Sequence, residues 1–177
     1  MLKQHNCEWC TMHLHVHEKA PSLNNCLHAG PPLQNKLWSV VRNQFHPVVV
    51  AGDVRHAFLQ VQIRETEREA VRFHWIADKK AKQLETLHFS RVVFGLTPSP
   101  FLLNGVIQQH LENLLSRFPD AAKEILKSLY VDDLLSGGPT IEKGKQLKQE
   151  ATEIFADAKL ELHKWHSNRQ EDLLDRA

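Results

Sequence analysis

Met12-His13-Leu14-His15-Val16-His17 alternates apolar and polar positions like a strand with one polar face. Pro31-Pro32 then opens an expected helix from Leu33 to Phe45, with Leu33, Leu37, Val40 and Val41 on one stripe. His46-Pro47 stops it, because the residue before a proline is pushed out of the helical region. The β-branched run Val48 to Val54 has the pattern of a buried central strand. Phe58 to Ile63 continues extended, and residues 71–76 and 84–93 form two strands joined across a lysine-rich turn, Asp78 to Lys82. Ser99 and Pro100 suit an N-cap and a first helical residue. Their helix carries Phe101, Leu102, Val106, Ile107, Leu111, Leu114 and Leu115 as far as Pro119. Ile125 to Val131 alternates again and leads through Asp132-Asp133 into Leu134-Leu135-Ser136, a β-hairpin with an acid pair at its tip. Thr140 caps a last helix to Ala158, with Leu147, Ala151, Ile154, Phe155 and Ala158 inward, and Leu160 to Trp165 is a final short strand. The order predicts an α+β layer with helices on one face of a sheet.

Composition narrows this only a little. The 177 residues are 42% apolar and 24% charged, ordinary for a folded domain, so wholesale disorder is excluded. The net charge is +1, without the basic surplus usual in proteins that grip many phosphates. All three cysteines, Cys7, Cys10 and Cys26, lie in the first 26 residues. An odd, clustered count is no disulfide framework, and the expectation is a reduced, intracellular protein. Val48 to Ala51, the longest apolar run, is far too short to cross a bilayer, and the N-terminus has no signal-peptide core.

Three carboxylates stand where a carboxylate is expensive. Asp53 ends the apolar run, and Asp132 and Asp133 occupy the hairpin tip. If the two segments are neighbouring strands, the acids meet at one end of the sheet, where like charges repel unless a proton or divalent cation neutralises them. All-oxygen donors favour Mg²⁺ or Mn²⁺, and two such ions about 4 Å apart can serve phosphoryl transfer. Asp-Asp is also common in turns and a lone Asp can end a strand, so the acids alone leave both readings open.

Their surroundings carry a resemblance. Gly52-Asp53-Val54-Arg55-His56-Ala57-Phe58 resembles the first catalytic motif of reverse transcriptases, and residues 93–101, Val-Phe-Gly-Leu-Thr-Pro-Ser-Pro-Phe, resemble the second. Tyr130-Val131-Asp132-Asp133 is similar to their Tyr-x-Asp-Asp hairpin, and Leu160 to Trp165 to their lysine-bearing fourth motif. Pro21 to Leu27, Phe101-Leu102-Leu103-Asn104 and Lys164-Trp165-His166-Ser167-Asn168 resemble the BEL/Pao group of LTR retrotransposons. The resemblance spans residues 20–169. It implies a palm with a partial fingers hairpin over residues 21–169, preceded by a divergent segment, residues 1–20, and followed by a tail, residues 170–177.

It also implies roles. Asp53, Asp132 and Asp133 would be the polymerase acids, holding two Mg²⁺ ions (or Mn²⁺) with the Val54 carbonyl. Phe58 would be the steric gate selecting deoxynucleotides, although it could equally be a core aromatic. Phe94 and Gly95 would line the incoming nucleotide, Ser99 and Pro100 would set the helix supporting the template, and Tyr130 would pack beside the primer terminus. Lys164 would assist pyrophosphate departure, or be simply a solvated lysine. The implied partners are a primed RNA or DNA template and deoxynucleoside triphosphates, with no membrane, inside a cytoplasmic retrotransposon particle.

Some features depart from the family pattern. No Lys or Arg lies between Lys3 and Lys19, where the family carries a basic residue reaching the triphosphate, and Val93 stands where Pro is usual. The sequence ends soon after the fourth motif, so a thumb and the RNase H, protease and integrase domains are expected to lie outside it. Those departures keep a decayed or domesticated, non-catalytic fragment open as the alternative. Cys7, Cys10, His13, His15 and His17 have the ingredients of a zinc site but lack the second ligand pair. Arg64, Arg68 and Arg72 are interleaved with Glu65, Glu67 and Glu69, which reads as a balanced solvated turn; Lys79, Lys80 and Lys82 suit template backbone better.

Overall fold

The computed structural model describes residues 21–42, 45–78 and 83–169. The expected strand at 12–17, the Cys/His cluster around Cys7 to His17, the Lys79–Lys82 turn and the C-terminal tail lie outside the described residues. In chain order the elements are α1 (Leu23–Cys26), α2 (Leu37–Arg42), β1 (Val48–Val54), α3 (Ala57–Gln60), a 3-10 segment (Glu65–Val71), β2 (Arg72–Asp78) and β3 (Gln83–His88). Then follow α4 (Ser99–Leu114), α5 (Pro119–Ser128), β4 (Leu129–Tyr130), β5 (Asp133–Gly138), α6 (Ile141–Asp157) and β6 (Leu162–Ser167). The chain divides into two compact units, Met1–Pro31 with Phe58–Leu102, and Pro32–Ala57 with Leu103–Ala177. The mixture of helices with antiparallel sheet is α+β. Among the described residues no helix is long and apolar enough to cross a membrane.

In the first unit β2 and β3 form a two-stranded antiparallel ribbon. At its base Leu23, Val71 and Leu96 are buried, with Leu27, Ile63, Phe89 and Val93 packed on them. Asn24 ties α1 to the loop before α4: its Nδ2 donates to the Gly95 carbonyl at 2.7 Å, and its Oδ1 accepts from the Thr97 amide at 2.9 Å.

The second unit is a four-stranded antiparallel sheet in the order β4-β5-β1-β6, with α5 and α6 packed on it. Val48, Val50 and Val54 of β1 are buried, together with Leu134 and Ser136 of β5. Against them lie α6 residues Leu147, Ala151, Ile154 and Phe155 and α5 residues Ala121, Ala122 and Ile125, all buried. Thr140 caps α6 as expected, its hydroxyl oxygen accepting from the Lys143 amide at 3.3 Å. Glu124 fastens α5 to β5: its Oε1 accepts from Ser128 Oγ at 2.9 Å and from Ser136 Oγ at 2.6 Å, satisfying two buried hydroxyls.

The sequence reading fails at four elements. The helix expected over 33–45 is only Leu37–Arg42, and of its stripe only Val40 is buried, Leu37 being exposed. The extended reading of 58–63 gives way to α3: His56 takes a positive φ of 51°, the chain turns, and Ala57, Phe58 and Val61 bury at helical spacing. The 84–93 strand stops at His88, and beyond it the chain pairs with the earlier segment through the bridge Gln62↔Arg91. Pro119 was expected to end a helix and instead starts α5, which takes in Ile125 to Ser128. Ala121, Ala122, Ile125 and Ser128 lie inward at positions i, i+1, i+4 and i+7, and a short apolar run cannot distinguish that stripe from a strand.

Candidate active site

The alternation of β1 decides where its acid goes. Val48, Val50, Gly52 and Val54 face the helices, so Asp53 stands on the opposite, half-buried face with Val49 and Ala51. In β5 Leu134 and Ser136 face the helices, which leaves Asp133 on the same open face, directly across from Asp53 in register. Tyr130 pairs with Asp133 and closes the hairpin through the two-residue loop Val131-Asp132. Val131 supplies the turn with a φ of 57°, a conformation that costs a β-branched residue about 1–2 kcal/mol. The Val54 amide donates to the Asp132 carbonyl at 2.9 Å, pinning the strained tip to β1. The expected meeting of Asp53 and Asp132 at one sheet end is what the strand pairing produces.

Burial, ahead of crowding, shifts the titration of the pair. Burial, chiefly, holds the Asp132 carboxyl above its ordinary value of 3.8; a backbone hydrogen bond opposes this and the Asp53 charge adds to it. The Asp133 carboxyl is likewise raised, by burial first and then by Asp132 and Asp53, with Lys164 acting the other way. Below the unfolded-state value both groups are neutral in either state. As pH rises through the folded-state value they must ionise in an unfavourable place, and stability falls. Asp132→Asn is therefore expected to raise the melting temperature at about pH 7 by about 1–3 °C and to leave it unchanged near pH 3. Thermal denaturation at the two pH values checks this, and an equal shift at both would refute it.

A bulge in β6 completes the arrangement. Asp53 pairs with His163 and Ala51 with His166, so Lys164 and Trp165 both lie opposite Gly52. Lys164 takes a φ of 48°, and the strand's alternation breaks there. Two consecutive side chains consequently reach one carboxylate oxygen: His163 Nε2 and Lys164 Nζ are each 3.1 Å from Asp53 Oδ2. Trp165 turns to the other face beside Val48 and Val50, against Gly52, where a Cβ would come within 3.0 Å of the indole ring. Arg55, the nearest arginine in sequence, is engaged elsewhere, 3.2 Å from Glu161.

The profile described as reverse transcriptase (RNA-dependent DNA polymerase) matches residues 10–167. The chain belongs to the reverse transcriptase family. No curated protein matches it.

For a reverse transcriptase, the residues singled out in sequence divide cleanly. Asp53, Val54, Tyr130, Asp132, Asp133 and Lys164 come together in the second unit. Phe58, Phe94, Gly95, Ser99 and Pro100 belong to the first. There Phe58 is buried, its ring meeting the exposed Phe94 ring edge-on at 4.8 Å between centroids. Gly95 has a φ of 82° with open space where a side chain would point, so the turn demands the glycine rather than a neighbour's proximity. The Ser99 hydroxyl does not cap α4 as expected; it donates to the Val93 carbonyl at 2.6 Å and closes the preceding loop. Sequence reasoning passed over His163, Asn24 and Glu124. Strand alternation opposite Asp53 could have found His163, and helical spacing links Glu124 to Ser128, but Asn24 acts on partners more than seventy residues away and leaves no local signal.

Proposed function

We infer that this chain catalyses template-directed addition of deoxynucleotides to a primer 3′-hydroxyl, as the reverse transcriptase part of a BEL/Pao-type LTR retrotransposon polyprotein. The observation that carries the reading is the pairing of β1 with β5, which sets Asp53 across from Asp133 and the neighbouring Val54 amide on the Asp132 carbonyl. The second unit takes the part of the palm and the first that of the fingers.

The donor chemistry fits divalent cations. The acids are oxygen donors gathered at the β1–β5 end, and burial first, then the neighbouring acids, raise the Asp132 and Asp133 carboxyls above their ordinary value, a cost that a bound cation would relieve. Among the described residues no group of three metal-ligating side chains yet converges on one point. Asp53 and Asp132 would hold two Mg²⁺ ions, with Asp133 and the Val54 carbonyl in support. The ions would supply activation of the primer hydroxyl and charge neutralisation on the departing pyrophosphate. The residues do the rest. The hairpin tip, tied to β1 by the Val54 amide, fixes the acids relative to each other; Tyr130, beside the tip, supports the primer end. Phe58, Phe94 and Gly95 are assigned to the nucleotide, with Phe58 excluding a ribose 2′-hydroxyl, and Ser99 and Pro100 to the template. Lys164 is assigned to the triphosphate.

Primer extension tests the reading. On a primed RNA template with Mg²⁺ the chain is expected to add deoxynucleotides and to discriminate against ribonucleotides. Folded protein that incorporates nothing on RNA or DNA templates, with Mg²⁺ or Mn²⁺, overturns it.

A further inference from the structure

Lys164 is held where a cation belongs. Its ammonium lies 3.1 Å from Asp53 Oδ2, and its positive charge also reaches Asp133. The contact does not arise from regular strand geometry. Opposite Gly52 a regular β6 would direct Lys164 to the helix-packed face, and only the bulge, with Lys164 at a φ of 48°, brings it round to Asp53. A left-handed conformation at a non-glycine residue is unfavourable, and it recurs here at the one position that sets a cation on the carboxylate. The lysine is also poised to leave. Its side chain is 66% exposed, whereas Asp53 and His163 on the same ion pair are 29% and 27% exposed. His163 keeps the carboxylate oriented from β6 when the ammonium withdraws.

The geometry points to Lys164 as a built-in counter-cation that competes with the divalent ion for Asp53 and so sets the affinity of the free protein for metal. The assignment rests on the reading of Asp53 as a metal ligand. One ammonium offsets one of the three formal charges of Asp53, Asp132 and Asp133 while no divalent ion is bound. It keeps the acids from repelling each other apart, and it must be displaced before Asp53 can coordinate. Displacement also frees the lysine for a second anionic partner, the class to which a nucleotide triphosphate belongs. The same residue would thus hold the empty site together and then turn to the substrate. An exposed ion pair contributes little, so the competition is modest in size and readily reversed.

Mn²⁺ binding to the full 177-residue chain without nucleic acid or nucleotide is the test, read by electron paramagnetic resonance of the free ion. Lys164→Met and Lys164→Gln are expected to bind Mn²⁺ about 3- to 10-fold more tightly than the wild type, and Lys164→Arg to match it. Asp53→Asn is expected to bind more weakly, and adding Lys164→Met to it to restore nothing. If both neutral variants bind no more tightly than the wild type while Asp53→Asn still weakens binding, the lysine has no such role and the metal site stands. If Asp53→Asn binds as the wild type does, the metal assignment and the counter-cation fall together.

Discussion

Asp132→Asn is expected to lower primer extension by about 1,000-fold or more while leaving the protein folded. The substitution keeps the shape of the side chain and removes only its charge. The Val54 amide bonds the Asp132 carbonyl, not its carboxylate, so the hairpin tip keeps its anchor on β1. Burial, chiefly, raises the Asp132 carboxyl above its ordinary value, so its charge is not expected to stabilise the fold. Loss of activity together with a higher melting temperature at neutral pH would separate function from folding in a single variant. An asparagine variant that extends primers within about tenfold of the wild type would remove Asp132 from the chemistry.

The second large effect concerns stability. Gly137→Ala is expected to destabilise the protein by about 3 kcal/mol, a fall of about 6–12 °C in melting temperature. A Cβ on Gly137 would run into the Val48 carbonyl oxygen and come 3.0 Å from His46 Cβ. The oxygen cannot swing aside as a side chain would. Val48 pairs with Gly138, and the adjacent Val49 is held on both backbone groups, its amide by Asn168 Oδ1 at 2.9 Å and its carbonyl by Ser167 Oγ at 2.6 Å. Relief would have to come from parting β1 and β5, the two strands that bring the acids into register. Urea denaturation measures the change, and a midpoint unmoved from that of the wild type would show the close approach to be harmless.

Much of the second unit was legible in sequence. The β-branched run of β1, the Thr140 cap and the inward stripe of α6 are local signals, and each became the expected element at close to its expected bounds, while the hairpin kept its tip at Val131-Asp132 but only Leu129–Tyr130 of its first arm. The middle of the chain was harder to read. Residues 57–63 and 119–128 carry apolar positions compatible with either period, and only burial against distant partners chose helix for α3 and α5. The segment of α2 had a convincing apolar stripe, yet Leu33 and Leu37 remain exposed, because a stripe says which face could be buried and not whether anything covers it.

By itself the sequence determined the α+β class, the family, and the identity of three acids on two segments, because motifs and periodicity are properties of neighbouring residues. Only the tertiary structure decided what those acids face. The β1–β5 register sets Asp53 opposite Asp133, and a one-residue bulge in β6 brings the Lys164 ammonium to Asp53 beside the His163 imidazole, where a regular strand would leave the imidazole alone. A register or a bulge is a relation between strands about a hundred residues apart in sequence, settled by which faces bury together. No local pattern in either strand encodes it.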